Sequence, residues 1–113
     1  MAQKTVYANG GVQVSTAQKK FGTGSALFDG SGDYLSVADS NDWYFGVDDF
    51  TIEMWVRFPS STSGTSHTLL HINQDTDNRI YFVRGDFGSQ NLYFGTTFGG
   101  VAGVSFHAAW TPS

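Results

Sequence analysis

The sequence predicts an all-β fold, an antiparallel β-sandwich, on three observations. Aromatic residues make up 16 % of the 113 residues, and 10 of them are Phe; aromatic side chains favour strands. Apolar and polar residues alternate in short runs, and no long window shows the 3.6-residue period of an amphipathic helix. Turn-forming residues, including 14 Gly, separate these runs at short intervals. Many short strands with frequent turns are typical of an antiparallel sandwich or barrel.

The strands are predicted wherever an alternating or β-branched and aromatic run lies between two groups of turn residues. In chain order, the predicted strands are residues 5–8, 12–15, 26–28, 34–37, 50–58, 68–73, 79–84, 91–95 and 101–106.

The connections carry recognisable turn chemistry. Residues 9–11, Asn-Gly-Gly, predict a tight hairpin because Asn and Gly accept positive φ. Residues 29–33 predict a Gly-rich turn with an acid at each end, and residues 74–78 and 99–100 each predict a turn between two strands. The Ser- and Thr-rich residues 60–66 predict an exposed, mobile loop.

The longest alternating run is residues 50–58, where every even position is apolar. This period of two predicts a long strand with one face in a core. The other face carries Glu53, Trp55 and Arg57. Such a row is either a sugar-binding surface, with the indole stacked on a pyranose, or a second packing layer in which the acid and the guanidinium pair under a covering loop.

Bulk properties predict one domain over residues 1–113 and exclude several classes of protein. The net charge is −4 and the basic residues are scattered, which argues against a nucleic-acid partner. The chain has no Cys and so no disulfide or thiolate chemistry. No apolar run reaches the roughly 20 residues that span a bilayer. No secretory signal is evident at the N-terminus, so an extracellular or virion-surface location requires another route or a longer chain.

The segment from Phe21 to Phe58 resembles the laminin-G-like, concanavalin A-like jelly-roll family. The resemblance lies in FDGSGDYL at residues 28–35 and DFTIEMWVRF at residues 49–58, joined by an acidic and aromatic connector. It looks most like the modules of bacterial surface proteins, secreted hydrolases and phage tail or virion proteins. The resemblance implies a shortened jelly roll and a carbohydrate ligand.

The resemblance covers roughly the first half to two-thirds of such a domain. Family members usually continue beyond the region of residues 104–106 with further strands. We therefore expect a domain that is incomplete at its C-terminal end: a pared-down fold, a fragment, or a fold completed by a partner chain. Unpaired strand edges recruit other chains, which predicts a homo-oligomer or a neighbouring virion or surface protein as partner.

An enzyme is not predicted. Glucanases of the same fold place two carboxylates across a groove, as glycoside hydrolysis requires. Glu53 is the only Glu in the chain, and no second acid lies two or four residues after it. No cofactor is required by any motif.

Calcium is the one metal that the resemblance implies, since laminin-G-like relatives often bind it near a glycan site. The candidate ligands lie in the acidic connector and are Asp29, Asp33, Asp39 and Asp42. The alternative is turn chemistry, because Asp caps turns and tolerates bent backbone. Residues 73–77 form a weaker candidate loop with alternating Asn and Asp. His67 and His71 lie four apart, on one side of a strand, as a zinc pair or as structural residues.

Two functions follow. The first is a non-enzymatic carbohydrate-binding or adhesion module, with Trp55, Glu53, Arg57, Trp43 and Tyr44 as candidate ligand-binding residues. The second is a structural subunit of a phage tail, fibre or capsid decoration that assembles with copies of itself.

Overall fold

The computed structural model of the chain describes residues 3–45, 49–58, 66–86 and 90–109. These residues form eight strands and one short 3₁₀ helix, divided between two compact units, Met1–Trp55 and Val56–Ser113. Every strand pair is antiparallel. The predicted all-β antiparallel class is therefore confirmed, while the packing of the sheets into a sandwich remains a prediction.

The first unit contains two small sheets. Strand β1 (Val6–Asn9) pairs with β4 (Tyr34–Val37), and β2 (Gln13–Ser15) pairs with β3 (Ser25–Leu27). All four strands lie close to their predicted positions. The β2–β3 pair is nested in sequence between β1 and β4, so the first and last strands of the unit are neighbours.

The turn at residues 9–11 forms, but not as the predicted β1–β2 hairpin. Gly10 has a φ of 74°, and a side chain there would collide with the Gly32 carbonyl oxygen. The Gly11 N–H donates a hydrogen bond to the Asp33 carboxylate. This contact, 22 residues away in sequence, ties the turn to the β3–β4 connection. The strand that pairs with β1 is β4.

A 3₁₀ helix at Asn41–Trp43 follows β4 and was not predicted from the sequence. The Ser40 hydroxyl caps its N-terminus by accepting a hydrogen bond from the Asp42 N–H at 3.2 Å. The ammonium group of Lys4 donates to the same hydroxyl at 2.7 Å. Ser, Asn and Asp side chains hydrogen-bond readily to backbone N–H groups at the start of a helix. The run Ser40-Asn41-Asp42 is therefore a local signal for such a cap.

The second unit is a four-stranded antiparallel sheet in the order β5-β6-β7-β8. Its strands are β5 (His67–Asn73), β6 (Arg79–Asp86), β7 (Gln90–Phe98) and β8 (Val101–Ala109). The predicted turn at residues 74–78 joins β5 to β6, where the Gln74 N–H donates to the Asn78 carbonyl at 3.0 Å. Two glycines with positive φ join β7 to β8, as predicted.

Pairing register divides this sheet into an apolar and a polar face, because residues directly opposite each other in an antiparallel ladder share a face. On the apolar face, Ile80 of β6 is only 8 % exposed. The apolar face also includes Leu70, Ile72, Phe82, Leu92, Phe94, Phe98, Val101 and Phe106. Arg84 lies among them, 1 % exposed, with its guanidinium 4.9 Å from the centre of the Phe58 ring.

The predicted strand at residues 50–58 does not form. Phe50, Met54 and Val56 on its apolar side are exposed, and Phe50 instead stacks on Phe45 with ring centres 4.6 Å apart. An alternating run forms a strand only when a neighbouring strand satisfies its backbone. In each unit the described strands pair among themselves, and none pairs with this run.

The predicted loop at residues 60–66 lies outside the described residues apart from Ser66. Across the described ranges, no helix is long and apolar enough to cross a membrane.

Candidate functional site

The row predicted from Glu53, Trp55 and Arg57 loses its geometric basis, because the strand that would align the three side chains is absent. Trp55 is nevertheless exposed by 71 %. Its indole is held by two neighbours in the first unit: the Lys20 ammonium lies 4.4 Å from the ring centre, and the Phe21 ring meets it edge-on at 5.9 Å. Arg57 belongs to the second unit. Trp55 thus remains a candidate ligand-binding residue, although its ring already contacts the Lys20 ammonium group.

The other two predicted aromatic residues lie at the end of the 3₁₀ helix. The Trp43 indole N–H donates to the Ala38 carbonyl at 3.1 Å, which anchors the ring against its own chain. Tyr44 is 84 % exposed. Trp43 therefore has a structural contact, whereas Tyr44 is available to a ligand.

The predicted calcium ligands Asp29 and Asp33 are used in turn formation. One oxygen of Asp33 accepts from the Gly11 N–H and the other from the Asp29 N–H at 2.9 Å. These two hydrogen bonds hold the pKa of the Asp33 carboxyl below its ordinary value of 3.8. The bond from the Asp29 N–H is the larger cause. The Asp29 carboxylate accepts from the Ser31 N–H at 2.7 Å, which is an Asx turn.

The remaining two candidates are separate from this pair. The Asp42 carboxylate lies 2.7 Å from the Lys4 ammonium, whose hydrogen bond and charge lower the Asp42 pKa. Asp39 is exposed. Within the described part of the chain, no three acidic or imidazole side chains gather in a way that could hold a metal ion. The geometry of these acids matches the turn-forming alternative, and calcium binding stays a prediction.

The acidic loop at residues 73–77 also has turn chemistry. The Asp75 carboxylate accepts from the Asn78 side chain at 3.0 Å and from the Asp77 N–H at 2.8 Å. The Asn78 hydrogen bond is the larger cause that lowers the Asp75 pKa. This carboxylate is therefore engaged in closing the β5–β6 turn.

The polar face of the four-stranded sheet brings together the side chains best suited to bind a ligand. It is defined by the residues that pair across the four strands on the side opposite Ile80. They are Thr68, His71, Asn73, Arg79, Tyr81, Val83, Gly85, Asn91, Tyr93, Gly95, Thr97, Ala102, Ser105, His107 and Ala109. None of these fifteen is Asp or Glu.

Tyr81 occupies the centre of the polar face because its cross-strand neighbour is Gly95. A β-carbon at position 95 would overlap the phenol carbon and oxygen of Tyr81, so the ring lies directly across the glycine backbone. The Arg79 guanidinium lies over this ring, 5.8 Å from its centre. The result is a layered arrangement of backbone, phenol and guanidinium.

An open cavity of about 300 Å³ lies beside this arrangement. Among the described residues, its lining comes from β5 and β6: Thr68, His71, Arg79, Tyr81 and Val83. Its lining offers a guanidinium, an imidazole, two hydroxyls and an aromatic ring.

A second aromatic contact extends the polar face toward β8. The Tyr93 and His107 rings are 5.8 Å apart and tilted by 33°. The Asn91 side-chain amide donates to the Tyr93 hydroxyl at 3.3 Å. Aromatic, imidazole and amide groups therefore continue across the sheet from the cavity.

His67 and His71 were expected on one side of their strand, and this prediction is wrong. The register of β5 shifts between Thr68 and Leu70, so that His67 pairs with Arg84 on the apolar face. His71 pairs with Tyr81 on the polar face. The extra residue of a bulge reverses the alternation, so a spacing of four no longer places two side chains together.

The polar face was missed in the sequence, although residues 79–84 contain its signal. Arg79, Tyr81 and Val83 alternate there with residues of the apolar face. The pattern of a single strand does not reveal its cross-strand neighbours, so neither the stacking of Tyr81 on Gly95 nor the cavity could be derived.

Comparisons with models of protein families, with curated proteins and with solved structures found no match to this chain.

Proposed function

We propose that this protein is a non-enzymatic carbohydrate-binding or adhesion module that acts at a cell or virion surface, and that its polar face holds the glycan. The proposal depends mainly on the cavity beside Tyr81, which combines an aromatic ring with convergent hydrogen-bonding groups. Ligand sites typically pair apolar and aromatic surface with a few such polar groups. The resemblance to laminin-G-like modules agrees with a carbohydrate ligand.

The charge of the polar face favours an acidic glycan. Its titratable side chains are Arg79, His71, His107 and two tyrosines, whereas the chain as a whole has a net charge of −4. Among the described residues, no ion pair involves Arg79. The negative charge of a carboxylated sugar would then lie on the polar face, where no Asp or Glu among its residues would repel it.

The position of Arg79 suits a carboxylate in particular. The Arg79 guanidinium lies over the Tyr81 ring, 5.8 Å from its centre, and Arg79 also lines the cavity. A guanidinium binds a carboxylate through two parallel hydrogen bonds, a geometry that an ammonium group does not offer. The Thr68 and Tyr81 hydroxyls, which line the same cavity, would accept or donate to sugar hydroxyls.

The experiment measures affinity for polygalacturonate and for its fully methyl-esterified form, which has the same backbone without the charge. A wider panel of neutral and sulfated polysaccharides is measured alongside. We expect polygalacturonate to bind best, and Arg79→Gln to weaken that binding roughly 10- to 100-fold, the range for a lost charge-assisted hydrogen bond. Arg79→Lys should recover only part of the loss.

Lys19→Gln is the matched control, because it removes one exposed positive charge from the other unit. Equal weakening by Lys19→Gln would mean a diffuse charge effect and no site at Arg79. Equal binding of both polygalacturonate forms would contradict the acidic ligand but leave a glycan function. No binding to any member of the panel would contradict the proposed function. Loss of binding in Trp55→Ala, but not in Arg79→Gln, would move the site to Trp55.

A structural role in self-assembly is the second candidate function. It is favoured by β8, the last strand of the sheet, whose nine residues are all exposed. Val101, Val104 and Phe106 on this strand are each more than half exposed. An exposed apolar edge strand is a template for pairing with another chain.

A further inference from the structure

Strand β8 is bonded on one side only. It pairs with β7, and no described strand lies on its other side. The free edge of a strand carries unpaired N–H and C=O groups, which water must satisfy unless another strand does. The segment from Ser105 to Ala109 is the regular part of this edge, because it pairs with β7 in continuous register.

We propose that residues 105–109 of β8 pair antiparallel with the same residues of a second copy of this chain. The pairing joins two four-stranded sheets into one sheet of eight strands. The inference deepens the second candidate function, self-assembly, by naming the strand and the geometry. It does not depend on glycan binding.

The composition of β8 supports a second copy as the occupant. The strand has no Asp, Glu, Lys or Arg. Two copies of a chain with net charge −4 repel each other in general, but at this edge no like charges meet. Antiparallel pairing of a strand with itself is symmetric, so both copies satisfy the same set of backbone groups about a two-fold axis.

The opposite edge of the sheet is less suited to pairing. Strand β5 contains a register shift between Thr68 and Leu70. A bulge on an edge strand twists it and interrupts the row of backbone groups that a partner would need. The irregularity of β8 lies near Gly103 and Val104, outside the proposed pairing segment.

The pairing geometry has a functional consequence. In a continuous antiparallel sheet the two-fold axis is perpendicular to the sheet, so residues of the two copies that share a face point to the same side. The two polar faces would therefore be presented together. Two sites on one side of a dimer bind a repeating polymer more tightly than one site does.

The first test is the oligomeric state, by sedimentation equilibrium over a range of concentrations. We expect a concentration-dependent dimer. The double substitution Ser105→Lys with Ala109→Lys places like charges opposite each other and should raise the dimer dissociation constant roughly tenfold or more. The matched control, Thr68→Lys with Asn73→Lys, adds the same charge to β5 and should leave the dimer intact. Two results would overturn the proposal. The first is a monomer at about 1 mM, a concentration at which even a weak dimer with a comparable dissociation constant is populated. The second is loss of the dimer in the β5 variant alone.

The second test uses the absence of cysteine from the chain. Single substitutions Ser105→Cys, His107→Cys and Ala109→Cys are oxidised separately. In this pairing, residue 107 of one copy lies opposite residue 107 of the other, nearest the two-fold axis. Because a disulfide needs close α-carbons, only His107→Cys should cross-link rapidly. Gln13→Cys, on the first unit, controls for random collision. Equal cross-linking at all four positions would contradict strand pairing, even if a dimer forms by another surface.

Discussion

Tyr81 lies across Gly95 so closely that the sheet has no room for a β-carbon beneath the phenol. The two residues are direct cross-strand partners on β6 and β7. The absence of one side chain thus determines the position of another, and with it the support for the Arg79 guanidinium.

Substitution Gly95→Ala is expected to displace Tyr81 and to destabilise the protein by about 1–3 kcal/mol, the usual cost of overpacking. Chemical denaturation measures the change. Gly95→Ala should cost much less in a Tyr81→Ala background, because the overlapping ring is then gone. Equal costs in the two backgrounds would show that the two residues do not interact.

Asp33 should make the first unit sensitive to acid. Its folded-state pKa lies below the ordinary value of 3.8, so the ionised form stabilises the folded state. That contribution is complete above the ordinary pKa and is lost as the pH falls through the folded-state value. Melting temperatures measured from about pH 6 down to about pH 2 should fall more steeply for the wild type than for Asp33→Asn. Parallel pH profiles would mean that the carboxylate contributes nothing.

The ion pair between Lys4 and Asp42 is accessible to NMR. The Lys4 hydrogen bond and charge are the two largest causes that lower the Asp42 pKa. A carbon-detected titration should find that the Asp42 pKa rises toward its ordinary value in Lys4→Gln. Lys20→Gln, elsewhere in the same unit, should leave it in place. Because exposed ion pairs contribute little to stability, the melting temperature should hardly change.

Ile80 is 8 % exposed, and among the described residues it is the one buried apolar side chain. Ile80→Ala should cost about 2–5 kcal/mol of unfolding free energy, as for other large-to-small substitutions in a core. Val101→Ala, on the same face but 70 % exposed, should cost less than about 0.5 kcal/mol. Denaturant titrations of both variants compare the two positions directly. Similar losses of unfolding free energy would show that Ile80 and Val101 are equally buried and would contradict the prediction.

Residues 50–58 alternate more regularly in the sequence than residues 79–84, yet only residues 79–84 form a strand. The difference is that β6 has partners on both sides, while no described strand pairs with residues 50–58. Predicted turns at residues 74–78 and 99–100 formed because their requirements are local: side-chain hydrogen bonds in one and positive φ in the other. Long-range pairing depends on contacts that a single sequence window does not contain.

The same distinction separates what was predictable in the candidate sites. The turn chemistry of Asp29 and Asp75 follows from residues two or three positions away. The separation of His67 from His71 depends on a bulge in the pairing of β5 with β6. One inserted residue is enough to reverse a face, and alternation alone does not reveal it.

The sequence by itself determined the all-β class, the positions of most strands and the local turns, because these depend on backbone preferences and on neighbours along the chain. Only the tertiary structure decided that β1 pairs with β4, that residues 50–58 stay outside the sheets, and that Tyr81 packs on Gly95. These outcomes depend on which distant residues satisfy a backbone group or fill a space. For that reason the candidate site is the polar face of the four-stranded sheet and not the predicted row of Glu53, Trp55 and Arg57.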